Sequence, residues 1–263
     1  MFNRLIVTAM LLLIAPVQSP VNAQLVTFDQ TPAGTAPVDN SELTSPYAIS
    51  GGGTVQFFFD TSGNGSFDSG VDALSIFEAA GGADSQSGFV NNGLAMDDTE
   101  APGFENRLGT FFVRQPASFG AIPAPFIVDY DTAQSITALS GEIWDIDGVN
   151  NPADPGFGTE QWLVEVLNAS GVILASQVSP LGTEPTVPLD GRPWLFQFTN
   201  LPPGVDKIRI TFTGTRPAVG LAFNNFSPTV VVPEPSSLRV LILGLIPLLT
   251  VAGRQRRSGM PMS

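Results

Sequence analysis

Three short stretches hold the residue types that could do chemistry. The first is 60–68, D-T-S-G-N-G-S-F-D, in which Asp60, Ser62, Asn64 and Asp68 fall at positions 1, 3, 5 and 9 of a loop with Gly65 at 6. Calcium loops place oxygen ligands on alternate residues and turn sharply at such a glycine. Their closing acid stands at position 12, where this chain has Val71, with Asp72 one residue late. The same dipeptides also make ordinary hairpin turns. The second stretch is W-D-I-D-G at 144–148, followed by Asn150, Asn151 and Asp154. On a regular strand Asp145 and Asp147 share one face and Trp144 and Ile146 the other. Carboxylates that close repel unless a cation or water separates them, so this pair is a second calcium candidate, against the alternative of a solvated strand end. The third stretch, G-T-E-Q-W-L-V-E-V, puts Glu160 and Glu165 five residues apart, on opposite faces of a strand. That spacing does not suit the two acids of a glycosidase. Glu165 is left to meet Asp145 or Glu142 from a neighbouring strand.

What is missing narrows the chemistry further. The chain has no histidine and no cysteine. That removes Ser-His-Asp catalysis, the usual zinc ligands and any disulfide. Carboxylates, amides and carbonyls remain, and these hard ligands suit calcium. Between Gln24 and Val232 six basic residues face 23 acidic ones, a net charge of −17. Such a body repels phosphate backbones, so no nucleic acid is expected as a partner. Trp144, Trp162 and Trp194 have two readings, as platforms for sugar rings or as core residues of a sheet.

The elements that position these residues read as strands. Segments 25–28, 54–59, 110–114 and 126–130 are rich in β-formers. Segment 135–147 is a long strand with Gly141 at a bend. Segments 162–167 and 172–178 flank a hairpin loop at 168–171. Segment 207–213 alternates Ile208, Ile210 and Phe212 with polar neighbours, the pattern of a half-buried strand. Residues 73–80, with Leu74 and Phe77 three apart, read as a short helix, and 221–226 as the closing strand. About ten short strands with almost no helical period predict an all-β fold, an antiparallel β-sandwich of jelly-roll or lectin-like type.

The two ends read differently. Residues 1–23 carry Arg4, an apolar stretch at 5–15, and Val21-Asn22-Ala23 before Gln24. This predicts a signal peptide with an N-terminal signal helix, cleaved between Ala23 and Gln24. At the other end Pro233-Glu234-Pro235 precedes an apolar run at 240–253 and the basic residues Arg254, Arg256 and Arg257. As a helix that run spans roughly 21 Å, short of a hydrocarbon core of roughly 30 Å. The three-part order resembles the PEP-CTERM sorting signal of exported bacterial proteins, over about 25 residues. The resemblance implies that an exosortase recognises Pro233, Glu234 and Pro235, that the arginines act as the stop signal, and that the C-terminal hydrophobic helix holds the protein in the membrane before cleavage. The closing segment 219–226 is also similar to the last strand of many PEP-CTERM bodies. An Asp-Asn pair commonly stands there where this chain has Asn224-Asn225.

The expected organisation is therefore a signal peptide (1–23), a β-sandwich domain (24–227), a linker (228–232), the sorting segment (233–257) and a short tail (258–263). The expected partners are the Sec export machinery, the exosortase, the membrane and extracellular polysaccharide, with calcium as the candidate cofactor. The expected destination is the cell envelope, then the surface or medium. The expected function is that of a non-catalytic binding or structural module. The alternative is a secreted polysaccharide hydrolase or lyase using carboxylates alone.

Overall fold

The computed structural model describes residues 21–81, 100–116, 122–149, 152–153, 157–182, 189–216, 219 and 222–231. The expected signal helix, the expected C-terminal helix, and the sorting residues Pro233, Glu234, Pro235, Arg254, Arg256 and Arg257 lie outside the described residues. So do Asn150, Asn151 and Asp154. Among the described residues there is no helix, and none long and apolar enough to cross a membrane.

The described chain forms fifteen strands: β1 Val21–Ala23, β2 Tyr47–Ala48, β3 Thr54–Phe59, β4 Ala73–Leu74, β5 Ile76–Ala79, β6 Phe111–Arg114, β7 Phe126–Asp131, β8 Ser135–Trp144, β9 Gly148–Val149, β10 Gly158–Thr159, β11 Trp162–Asn168, β12 Ile173–Val178, β13 Pro193–Phe198, β14 Val205–Phe212 and β15 Ala222–Val231. Six build one antiparallel sheet in the order β13-β8-β15-β6-β5, with β1 added to β15. Seven build a second in the order β12-β11-β14-β7-β3-β2, with β4 added to β3, and β9 and β10 pair separately. The architecture is an all-β, antiparallel two-sheet sandwich.

Aromatic rings fill the space between the sheets. Phe126 of β7 lies flat on Phe223 of β15, with centroids 4.3 Å apart. Phe57 of β3 meets Phe226 at 5.2 Å, and Trp162 of β11 meets Phe223 edge-on at 5.9 Å. Burying this many rings is the main favourable term of the fold. Gly141 is the reason they fit. A Cβ there would stand 2.5 Å from Phe196 Cζ and 2.8 Å from the Phe226 ring. The expected bend at Gly141 is found across the pair: the bulge belongs to β15, between Asn224 and Ser227, opposite Glu142 and Ser140.

A second, smaller core covers the outer face of the six-stranded sheet. Leu108, Phe112, Trp144 and Ala222 are buried together there, with Phe104 packed edge-on to Trp144. Segment 100–110 forms its lid. Asp29 pins one end of that lid, accepting from the N–H (2.6 Å) and hydroxyl (2.8 Å) of Thr110.

Several boundaries differ from the sequence reading. The expected helix at 73–80 is two short strands, β4 and β5, because Leu74 pairs with Phe58 of β3 and Phe77 with Val113 of β6. Segment 25–28 contributes a single bridge, Val26 to Phe226. The expected linker at 228–232 starts too early. Pro228 to Val231 continue β15, paired with β8 at Leu139 and with β1 at Val21. Val21, Asn22 and Ala23, expected to leave with the signal peptide, form β1 in register with Val231, Val230 and Thr229.

Candidate functional site

The loop at 60–72 is a closed cage of internal hydrogen bonds. Asp60 Oδ1 accepts from Ser62 Oγ at 3.0 Å and from the N–H groups of Gly63 (2.7 Å) and Asn64 (3.2 Å). Its Oδ2 accepts from the Gly65 N–H at 2.8 Å. Asp72 holds the other side, through the N–H groups of Ser62 and Asp68, both at 2.8 Å. Asn64 Nδ2 donates to Asp68 Oδ2 at 2.6 Å. The structure thus brings Asp60, Ser62, Asn64 and Asp68 together and adds Asp72. Burial pushes the Asp72 carboxyl up, but the hydrogen bonds from Asp68, Ser62 and Thr61 outweigh it and hold the group below its ordinary value. Beside this loop a groove of about 270 Å³ runs to the 169–171 hairpin, with Lys207 and Arg209 in its floor. Lys207 Nζ donates to Gly65 O at 2.7 Å.

Asp145 and Asp147 stand differently from the strand reading. Regular pairing stops at Trp144, and Asp145 takes a left-handed φ of 67°. That turn ends the alternation, so Asp145 is buried along with Trp144 and Ile146. The alternative of a solvated strand end does not hold for Asp145, which stands in the interior. Asp145 Oδ1 accepts from the Gly191 N–H at 3.0 Å. Burial pushes its carboxyl up to about 8, with the nearby Asp190 adding to the rise.

Glu160, expected on a strand with Glu165, lies one turn before β11 and joins this interior site. It is wholly buried. Its Oε1 accepts from Arg216 Nη1 at 3.3 Å, and the same nitrogen is ion-paired with Asp147 Oδ1. Its Oε2 has no hydrogen-bond partner among the described residues. Burial, with Asp145 beside it, holds Glu160 well above the ordinary carboxylate range. Desolvation lowers Arg216 from its ordinary value. The backbone around the acids is packed tightly. A Cβ on Gly148 would stand 2.6 Å from Gly182 O and 2.8 Å from Gly158 O. Glu160 N–H donates to Asp147 O, and Gly182 N–H to Glu160 O, each at 2.8 Å. Among the described residues no three acids stand together as a formed metal-ligating group.

The remaining acids are tied to structural partners. Glu165 meets neither Asp145 nor Glu142. It faces Arg209 across the β11–β14 pair, and Arg209 Nε and Nη2 reach its Oε2 at 2.9 and 2.8 Å. Glu142 sits under the 100–110 lid. It takes both Nε (3.0 Å) and Nη2 (2.6 Å) of Arg107 on Oε1, and Asn225 Nδ2 (2.8 Å) and Trp144 Nε1 (3.1 Å) on Oε2. Asn224, also wholly buried, donates to the carbonyls of Leu108 and Phe111. Asn225 takes a φ of 55° at the β15 bulge. The Asn-Asn pair therefore staples the lid to the sheet. Trp144 and Trp162 are core residues, and Trp194 is half-buried beside Phe196, 6.0 Å away.

Another concavity, about 460 Å³, lies along 24–32 and is bordered by Gly34, Tyr47 and Ala48. Gln24, the expected first residue after cleavage, borders it and donates through Nε2 to Ala48 O at 2.9 Å. Tyr47 donates to Gln30 O at 2.6 Å.

No protein-family model matches the chain, and no curated protein matches it. Among solved structures it is similar to the infectious bursal disease virus Gx strain structure, with a TM-score of 0.23 and 11% identity over 46% of this chain and 36% of that one. It thus spans little more than a third of that chain. The K3 cleaved adhesin domain of Lys-gingipain from Porphyromonas gingivalis w83 overlaps 75% of this chain and 100% of its own, with a TM-score of 0.24 and 13% identity. The VP2 subviral particle of infectious bursal disease virus overlaps 82% of this chain and 73% of its own, with a TM-score of 0.23 and 10% identity. Overlaps this loose carry no argument about what the chain does. Its function has to be read from its own residues.

Proposed function

We propose that this chain is an exported surface or matrix protein with a PEP-CTERM-type sorting tail, and that its sandwich, of the jelly-roll or lectin-like kind, binds extracellular polysaccharide without cutting it. One observation carries the second half of this reading. Each of the two concavities holds a single carboxylate, Asp29 in one and Asp60 in the other, while Glu142 is held by Arg107, Glu165 by Arg209, and Glu160 is wholly buried. A cleaving pair needs two acids flanking a bound sugar. Around those single acids the two polar concavities are walled by loop backbone, hydroxyls and amides, with Lys207 and Arg209 in the second, and such groups fit sugar hydroxyls. The first half rests on the order Pro-Glu-Pro, apolar run, arginine cluster at the C-terminal end, together with a strongly acidic body suited to an exported, soluble module.

The test is a glycan array probed with the full chain, paired with a reducing-sugar assay on the polysaccharides that bind. Retention on the array with no new reducing ends is the expected result. Release of reducing sugar that disappears in Glu142→Gln would overturn the non-catalytic reading. An array with no retained glycan would overturn the polysaccharide assignment.

A further inference from the structure

We infer that the open edge of β12 is a docking surface for a second copy of this chain, the two β12 strands pairing antiparallel about a two-fold axis. The inference goes beyond the polysaccharide reading and does not rest on it.

Hydrogen bonds at the ends of the two sheets single out this strand. At one end of the six-stranded sheet, segment 39–43 covers β5. Asn40 N–H donates to Phe77 O and Phe77 N–H to Ser41 O, each at 2.8 Å, and Ala79 N–H donates to Asp39 Oδ1 at 2.8 Å. At the other end, the Gln177 side chain takes both backbone groups of Gln197 in β13. In the seven-stranded sheet, Gln24 reaches Ala48 O of β2 at 2.9 Å. β12 stands at the far end of that sheet, paired with β11 alone. Ser179 N–H donates to Trp162 O at 2.8 Å, so the backbone groups of 177 and 179 face β11. By the alternation of an antiparallel ladder, those of Ser176 and Val178 face away. Among the described residues nothing bonds to them. Free N–H and C=O groups along a strand are a template for another strand.

The side chains lack the device that most often keeps such an edge single. Exposed edges are shielded by charges, Lys above all. Here no charged residue stands between Glu165 and Glu184. Four of the ten large apolar side chains exposed among the described residues fall on β12 and its two ends. They are Val172, Ile173, Val178 and Leu181, between 51% and 56% exposed. This strip is therefore both apolar and open to backbone pairing.

Charge selects the partner. Between Gln24 and Val232 the chain carries −17, so two copies repel wherever their acids meet. An uncharged edge lets two such bodies approach, and a two-fold pair sets the strip against itself. A basic partner would find no acid on the strip to hold it. In an antiparallel pair centred on 176–178, the two hairpin loops at 168–171 point away from each other.

The experiment is sedimentation equilibrium of the full chain over a range of concentrations, at low and high salt, in mild detergent that covers the apolar run at 240–253. Cysteine crosslinking accompanies it, since the chain has no cysteine of its own. Wild type should pass from one chain to two as concentration rises and stop there. Salt should tighten the dimer by screening the acids. Ser176→Glu puts a carboxylate on each side of the pair and should weaken it at least about fivefold, while its Tm in dilute solution stays that of wild type. A short bismaleimide should join Ser176→Cys chains in pairs and leave Ser170→Cys, at the hairpin tip, largely single. The inference is overturned if wild type stays monomeric, if Ser176→Glu dimerises as tightly as wild type, if salt loosens the dimer, or if Ser170→Cys crosslinks as fast as Ser176→Cys. Assembly that climbs past two chains without a plateau also overturns it, because a two-fold pair is closed.

Discussion

Replacing Asn224 by aspartate asks whether the closing strand carries a staple or a metal ligand. Here Asn224 is wholly buried, and its Nδ2 donates to the carbonyls of Leu108 and Phe111, the latter at 3.3 Å, while Oδ1 accepts from Asn225 N–H at 2.7 Å. The substitution would keep the acceptor and lose the donor. The second oxygen of the new carboxyl would face two carbonyl oxygens in a buried site. The carboxyl would stay only if protonated, so that its O–H can donate to a carbonyl. Against an ordinary value of about 3.9, holding that proton costs about 1.4 kcal/mol per pH unit, which is about 4 kcal/mol at pH 7 and about 1.5 kcal/mol at pH 5.

The sign is that of a raised folded-state pKa. The penalty is absent below the ordinary value and grows as pH rises above it. For a domain of this size about 4 kcal/mol lowers Tm by roughly 8–16 °C. Asn224→Ala supplies the control. It strands two buried carbonyls at roughly 1–3 kcal/mol each, with no dependence on pH. Urea unfolding of both variants at pH 5 and pH 7, in chelator, reads the difference. A loss in Asn224→Asp that is equal at the two pH values refutes the reasoning. So does an Asn224→Asp protein as stable as wild type, or one restored by calcium, since an ion would then be taking the place of the missing donor.

Two further outcomes follow from the same accounting. Asp72, held below its ordinary pKa, stabilises the fold above about pH 4, and that contribution is lost as pH falls below it. Asp72→Asn should cost about 1–3 kcal/mol at pH 7, where Asp68 N–H loses its acceptor, and far less in acid; urea unfolding across pH 3 to 7 checks this, and a cost that stays constant with pH would contradict it. Gln177 caps the outer edge of β13, its amide donating to Gln197 O at 2.6 Å and accepting from Gln197 N–H at 3.3 Å. Open strand edges recruit other strands, so Gln177→Ala should raise the apparent mass in light scattering as concentration increases, and an unchanged mass would show that Pro193 and the short edge suffice without it.

Most strand positions were legible because period-two patterning survives where strands are regular. Thr54–Phe59 and the 168–171 hairpin stand where the sequence placed them. Legibility failed where the pattern is set by something other than the strand itself. Residues 73–80 carry a helical spacing, yet their burial comes from pairing with β3 and β6, partners distant in sequence. Pro228 looked like the start of a linker because proline removes a ladder donor, yet it lies within β15, opposite Leu139.

The candidate site shows the same division more sharply. The 60–72 loop could be found by motif because its donors and acceptors are all local, and for that same reason it needs nothing from outside. Of the interior cluster, the sequence pattern joined only Asp145 and Asp147. Asp145 leaves its strand through one left-handed residue, and Glu160 and Arg216 arrive from separate connections. A sequence pattern records neighbours along the chain, whereas a buried acid cluster arises from groups that meet only after folding. The local loop is therefore complete in itself, whereas Glu160, read from the sequence as one acid of a strand with Glu165, keeps a buried oxygen without a donor among the described residues.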